Sequence, residues 1–269
     1  MSVLADSDLV QFVERGWCTV RGAFTAEQAR AARAVVWRRM EAKRAIREAD
    51  PSTWPPAYDI EEHLTDPAVL GCFTDRLAAA IEELVGEGRW TGERRWGFWP
   101  VSFHYGADHP AQWPAYGWHV DGNWFRHTVD CPRQGLLLVG LFSDIAPGGG
   151  GMVVSGGSHR RAARVLASHP EGLAHGELFI RVLAEPIGDF CELTGAAGDV
   201  VLGHPFLFHT RGFKRHGEPR VISNSEVPLR AAMQLERAAG DYSVLERSIR
   251  AALAEPPPPP PPDAMACRF

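Results

Sequence analysis

Gly198-Asp199-Val200-Val201-Leu202-Gly203-His204-Pro205-Phe206-Leu207-Phe208-His209 reads as a tight Gly-Asp turn feeding an apolar strand. A proline interrupts the run, and a second short apolar stretch ends on an imidazole. The same texture extends to both sides. Strand-like segments are expected at 98–103, 118–121, 135–145, 152–155, 198–203, 206–209 and 221–227, separated by Gly, Pro and Asp. Many short strands with turn signals between them predict a mainly β (α+β) sandwich or barrel. No helices recur regularly between them, so a parallel α/β sheet is disfavoured.

The first third is helical in pattern. Asp6 or Ser7 is positioned to cap a helix through Leu9, Phe12 and Val13 that stops at Gly16, and a brief strand follows at 17–20. Thr25 with Gln28 three residues later forms a capping-box signature, and Ala29, Ala32, Val36 and Met40 share one face of the helix it opens. Another helix is expected over 74–85, with an irregular loop at 51–67 before it. The 160–183 segment reads as a helical insertion over one rim, a candidate lid. The organisation predicted is one domain over 1–255: a helical part at about 6–90, a β core at about 95–228 and a terminal helix at about 243–254. The tail at 256–269 opens with seven consecutive prolines and is expected to be disordered.

The 269 residues are 45% hydrophobic, enough for a full core. A net charge of -5 supplies no basic field, which argues against a nucleic-acid partner. The apolar runs are too short to span a bilayer, so no membrane association is expected. Five dispersed cysteines without a CxxC pair, and an N-terminus unlike a signal peptide, predict a reduced, cytoplasmic protein.

His119-Val120-Asp121 places an imidazole and a carboxylate two residues apart, on one face if the segment is extended. Among 11 histidines such a pair is weak alone, and His175-Gly176-Glu177 and His216-Gly217-Glu218 have the same spacing. The distal context separates them: His209 ends the opening stretch, and Arg220 follows eleven positions later. Two neutral nitrogens and one carboxylate on one octahedral face suit a non-haem ferrous site with open positions. An arginine fork suits a carboxylate co-substrate. His204 competes with His209 as third ligand, and the spacing to Arg220 favours His209.

The ordered set Phe12-x-x-x-Gly16-Trp17, His119-Val120-Asp121, the 148–151 glycine run, Gly157-Ser158-His159, Gly198-Asp199, His209 and Arg220 resembles the phytanoyl-CoA dioxygenase family of Fe(II)/2-oxoglutarate oxygenases. The resemblance spans about 8–227. It implies a double-stranded β-helix core (jelly-roll, cupin-like) with the N-terminal helices packed outside. It also implies Fe(II), 2-oxoglutarate and O₂ as cofactor and co-substrates. His119, Asp121 and His209 match the metal triad, and Arg220 matches the residue that holds 2-oxoglutarate. The family often has Ser or Thr two positions after the distal His. Here that position is Arg211, with Thr210 before it, and both are candidates for the same carboxylate. A carboxylate at Asp121 argues against the halogenating relatives.

The resemblance implies a small-molecule substrate that is hydroxylated, desaturated or cyclised, as in bacterial secondary-metabolite (antibiotic) tailoring. Six tryptophans fall between Trp90 and Trp124. Most should pack a core, but flat indole faces beside a metal strand also suit a sugar or ring. Trp99, Trp118, Trp124 and His104 are the pocket candidates, and a glycosylated natural product is the substrate they suggest. His109 and His127 are expected at the surface, and His159 in support of the glycine-rich turn. Two other readings stay open: a cupin-type metal enzyme that does not use 2-oxoglutarate, and a non-catalytic β-helix binding protein.

Overall fold

The computed structural model describes residues 2–237 and 240–255, so the proline run and the tail expected to be disordered lie outside the described residues. A six-stranded sheet runs β1 (Trp17–Val20), β7 (Val200–Gly203), β4 (Leu136–Leu141), β9 (Arg220–Val227), β3 (Trp99–Ser102), β2 (Ala57–Ile60). A three-stranded sheet runs β6 (Phe190–Glu192), β5 (Met152–Ser155), β8 (His209–Arg211). Every pairing is antiparallel. The two sheets face each other as a jelly-roll, the double-stranded β-helix.

The β4 sequence, Leu-Leu-Leu-Val-Gly-Leu, explains the layering. Successive side chains alternate between faces, and all six residues are buried. Leu137, Val139 and Leu141 point between the sheets, with Met152 and Val154 from the smaller sheet and Ile222 from β9. Leu136 and Leu138 point outward, into a larger cluster with the helices. A strand covered on both faces needs no polar alternation, which is why this run is apolar throughout.

The outer layer comes from α1 (Asp6–Arg15), α2 (Ala26–Arg44), the short α3 (Pro67–Leu70), α4 (Asp75–Val85), α5 (Ser158–Ala167), α6 (His175–Val182) and α7 (Val244–Ala254). The Thr25–Gln28 capping box is formed, and Ala29, Ala32, Val36 and Met40 are buried. The first helix starts one residue earlier than expected. Ala5 is its N-cap, and Asp8 accepts the Ala5 N–H at 2.9 Å. The 160–183 segment forms most of α5 and all of α6, anchored by fully buried Leu166, Leu178 and Val182.

Several expectations need correction. The supposed strand at 118–121 is a single bridge at His119, and β8 begins at His209 where a strand over 206–209 was expected. Pro205 supplies no N–H for a ladder, so the chain turns there before pairing resumes. β2 lies inside the loop predicted to be irregular, and β6 was not anticipated. The Glu192 carboxylate of β6 accepts the N–H groups of Gly148, Gly150 and Gly151 at 2.7, 2.9 and 2.8 Å. It organises the 148–151 glycine run, and His159, expected in support of the glycine-rich turn, is not among its partners. The His159 Nε2 instead lies 3.1 Å from the Val13 carbonyl, tying α5 to α1.

Candidate metal centre

The His119-Val120-Asp121 tripeptide sits between two glycines with left-handed backbone, Gly117 at φ 76° and Gly122 at φ 104°. Those turns, which only glycine adopts without strain, lift the tripeptide out of a regular strand. It is pinned to β8 at one place: the His119 N–H donates to the His209 carbonyl at 3.0 Å, and the His209 N–H returns the bond at 2.9 Å. This bridge draws one carboxylate and two imidazoles together. Asp121 Oδ1 lies 3.4 Å from Nε2 of His119 and 3.4 Å from Nε2 of His209. One ligand atom from each residue falls within 4.8 Å of the others, the one such group of three among the described residues.

The opposite edge of each imidazole fixes its tautomer. Nδ1 of His119 is 2.7 Å from the Gly117 carbonyl, and Nδ1 of His209 is 3.0 Å from the Leu207 carbonyl. A carbonyl only accepts, so both Nδ1 atoms carry the proton and both Nε2 lone pairs face Asp121. Nε2 of His209 is buried and has no hydrogen-bond partner. A buried orphan acceptor costs about 1–3 kcal/mol, and a cation between the three side chains removes that cost. Burial alone lowers His119 and raises Asp121. Their mutual contact, with His209, reverses both, so His119 is raised and Asp121 is held well below the carboxylate range. The donor set therefore fits a divalent cation.

Two further histidines brace this loop. Nε2 of His175, at the start of α6, is 2.7 Å from the carbonyl of Val120, between the two ligands. Nε2 of His127 is 2.9 Å from the carbonyl of Gly122, just beyond them. His127 and Leu173 exchange backbone bonds of 2.8 and 2.9 Å, which joins the two braces. His127 is buried rather than exposed as expected, and burial pushes its pKa down to about 4.

Behind the triad lies a recess of about 160 Å³, lined by His119, Asp121, His209, Thr210, Arg211 and Arg220 among others. Arg220 is 1% exposed, and its Nη2 donates to Ser102 Oγ at 2.6 Å, while its Nε has no partner. Burial first, and the Arg211 charge second, push its pKa down to about 9. The fold thus carries a buried cation whose cost an entering anion would offset. Arg211 is engaged with Asp59 at 2.5 Å, and Thr210 Oγ1 donates to the Tyr116 carbonyl at 3.1 Å. Thr210 and Arg211 are therefore at the recess but already partnered.

In front of the triad opens a larger cleft of about 580 Å³, bounded by Glu61, Phe98, Trp124, His175, Asn224 and Glu226 among others. Of the four pocket candidates only Trp124 lines it. Trp99 is fully buried against Phe142, because β3 is covered on both faces. Trp118 stacks on Phe190 at 4.7 Å, one residue before a ligand and on the opposite side of the chain. His104 is exposed and lines neither cavity. His204 lies apart from the triad, buried between Phe12 and His159.

His175, Asn224 and Glu226 escaped the sequence reading. Counting in twos from Arg220 along β9 finds the last two, since Arg220, Ile222, Asn224 and Glu226 share the inward face. His175 appears in the sequence only as a rival ligand, and its bracing role depends on tertiary packing.

No family model matches the chain, and no curated protein matches it. Solved structures do. AviO1 from Streptomyces viridochromogenes Tue57 matches with a TM-score of 0.55 at 17% identity, over 87% of this chain and 99% of its own. The non-haem α-ketoglutarate-dependent carbocyclase SnoK from nogalamycin biosynthesis matches at 0.53 and 16%, over 86% of each chain. EctD from S. alaskensis, solved with 2-oxoglutarate and 5-hydroxyectoine, matches at 0.50 and 17%, over 84% of this chain and 77% of its own. At such identities the likeness establishes the fold: this chain has the double-stranded β-helix of those proteins.

Proposed function

We propose that the chain is a non-haem Fe(II)/2-oxoglutarate-dependent oxygenase, similar to the phytanoyl-CoA dioxygenase family, acting on a small molecule. Residues 1–255 form its single catalytic domain in this reading. The observation that carries it is the unpartnered Nε2 of buried His209, aimed with His119 Nε2 at one Asp121 oxygen, with a buried arginine at the end of the adjoining recess. A cupin-type enzyme without 2-oxoglutarate has no use for Arg220 there, and a binding module has no use for the triad.

His119, Asp121 and His209 would hold the iron, and Arg220 would take the far carboxylate of 2-oxoglutarate with Ser102 fixing its orientation. When bound, Fe(II) with 2-oxoglutarate and O₂ supplies the oxidant for an unactivated C–H bond. The protein's own share is positional. The two carbonyl contacts at Nδ1 turn both Nε2 atoms toward the metal position, and His127 and His175 hold the loop that carries the ligands. Met152, Ile222 and Phe98 give the recess apolar walls beside its buried cation. The cleft presents substrate to the open side. SnoK comes from nogalamycin biosynthesis, and a role in tailoring a bacterial secondary metabolite is the setting proposed here. The direct test is release of succinate from 2-oxoglutarate under air, which should need added Fe(II) and vanish in His209→Ala. Succinate formation unaffected by that substitution would overturn the reading.

A further inference from the structure

Along β9 the inward side chains run Arg220, Ile222, Asn224, Glu226, about 7 Å apart at each step. Arg220 and Ile222 belong to the recess, Asn224 lines both cavities, and Glu226 reaches the cleft. One strand therefore leads from the co-substrate end of the site to its mouth. Asn224 is 9% exposed, its Oδ1 is buried without a partner, and its side chain makes no hydrogen bond among the described residues. Nothing in the fold uses this amide, yet it sits where a bound molecule would pass the triad.

The mouth is acidic. Arg95 is shared between Glu93 and Glu226, so two carboxylates divide one guanidinium. Glu61, on the cleft wall, makes no ion pair or hydrogen bond among the described residues. Two aromatic faces stand open beside these carboxylates: Trp124 is 61% exposed and Phe98 is 38% exposed. Such faces stack on rings and, beside carboxylates, favour a cation. Among the described residues the one guanidinium on this wall, Arg95, is already paired, so an anionic coenzyme-A ester finds no free guanidinium or ammonium there.

We infer that the cleft binds an amine-bearing, polyhydroxylated ring compound, an amino sugar in chemical class, with Asn224 reading a hydroxyl, Trp124 stacking on the ring and Glu61 pairing with the ammonium. The inference rests on the oxygenase reading for calling this ligand the substrate. Its binding is separable.

The probes are D-glucosamine, glucose and glucose 6-phosphate: one ring in cationic, neutral and anionic form. Their dissociation constants are measured by calorimetry on the full chain, both metal-free and with Fe(II) and 2-oxoglutarate under nitrogen. Glucosamine is expected to bind about tenfold more tightly than glucose, the worth of one charge-assisted hydrogen bond, and the phosphate more weakly than either. Glu61→Gln should erase the amine preference and keep glucose binding. Asn224→Leu should weaken both sugars with no loss of melting temperature, because its amide has no partner in the fold. The inference is overturned if no probe binds, if the three bind alike, if the phosphate binds best, or if Glu61→Gln leaves the preference intact. Amine preference in metal-free protein that shows no response to Fe(II) and 2-oxoglutarate would retain this site and remove the oxygenase reading.

Discussion

His119 and His209 are joined backbone to backbone by two reciprocal hydrogen bonds of 3.0 and 2.9 Å, and their rings lie 4.5 Å apart. One bridge thus fixes the spacing of the two candidate nitrogen ligands, although they are 90 positions apart in the chain. A metal that binds only the assembled site stabilises the folded state by mass action. Fe(II), or Co(II) as an air-stable substitute, should raise the melting temperature of the wild type and leave that of His209→Ala unmoved. An equal rise in both proteins would place the metal elsewhere.

His175 acts through the Val120 carbonyl, so His175→Phe should loosen the candidate ligand loop while keeping an aromatic ring there. Orienting partners of this kind are worth about 10–100-fold in metal affinity. Co(II) titration should show that loss while the metal-free protein melts as before, and His175→Gln, which keeps a donor, should recover part of it. Unchanged Co(II) affinity in His175→Phe would show that the brace does no positioning.

Arg220→Met removes the recess cation at similar length. Truncating one partner of a buried ion pair costs about 2–5 kcal/mol, so 2-oxoglutarate should bind roughly 30-fold to several thousand-fold more weakly. Iron affinity should hold, because Arg220 touches no ligand. Arg220→Lys should recover only part of the loss, since an ammonium lacks the planar fork. Calorimetric titration of each variant with 2-oxoglutarate separates these outcomes.

Glu246 holds the C-terminal helix to the body. Its buried carboxylate receives Arg89 at 2.6 Å, Arg237 at 2.7 Å, and the N–H groups of Gln234 and Ser243 at 2.8 and 3.0 Å. Burial alone raises this carboxyl, but the Arg89 bond and then the backbone donors overcome it and pull its pKa down to about 2. A depressed folded-state pKa means that the stabilisation is complete above the unfolded value of about 4.3 and is lost as pH falls from there towards 2. Glu246→Gln should cost about 3–5 kcal/mol at neutral pH. Urea melts at descending pH should show the two proteins converging across that window. A gap constant with pH would contradict the account.

The sequence makes legible those parts whose residues announce their own surroundings. The β4 run is apolar because both faces are covered, and the Thr25–Gln28 box states where α2 begins. The candidate triad stands out because Gly198-Asp199, His209 and Arg220 follow His119-x-Asp121 in the order that the family resemblance implies. Other parts depend on partners distant in the chain. β2 and β6 are short and border Pro or polar residues, so only their pairing with β3 and β5 makes them strands. Trp99 looks like a ring platform until β3 is seen buried on both sides. His127 looks like a surface histidine and His175 like a rival ligand until two carbonyls of the candidate ligand loop are found beside them. Glu192 gives no local sign that it gathers three glycine N–H groups.

In the proposed function the triad and Arg220 together hold iron and 2-oxoglutarate as one chelate. Fe(II) and 2-oxoglutarate are titrated without oxygen into metal-free protein while the weak visible charge-transfer band of the chelate is followed. A band is expected in the wild type, none in His209→Ala, and one that needs much more 2-oxoglutarate in Arg220→Met. Iron that binds at the triad and never gives the band would contradict it, leaving a metal site in which Arg220 has no part.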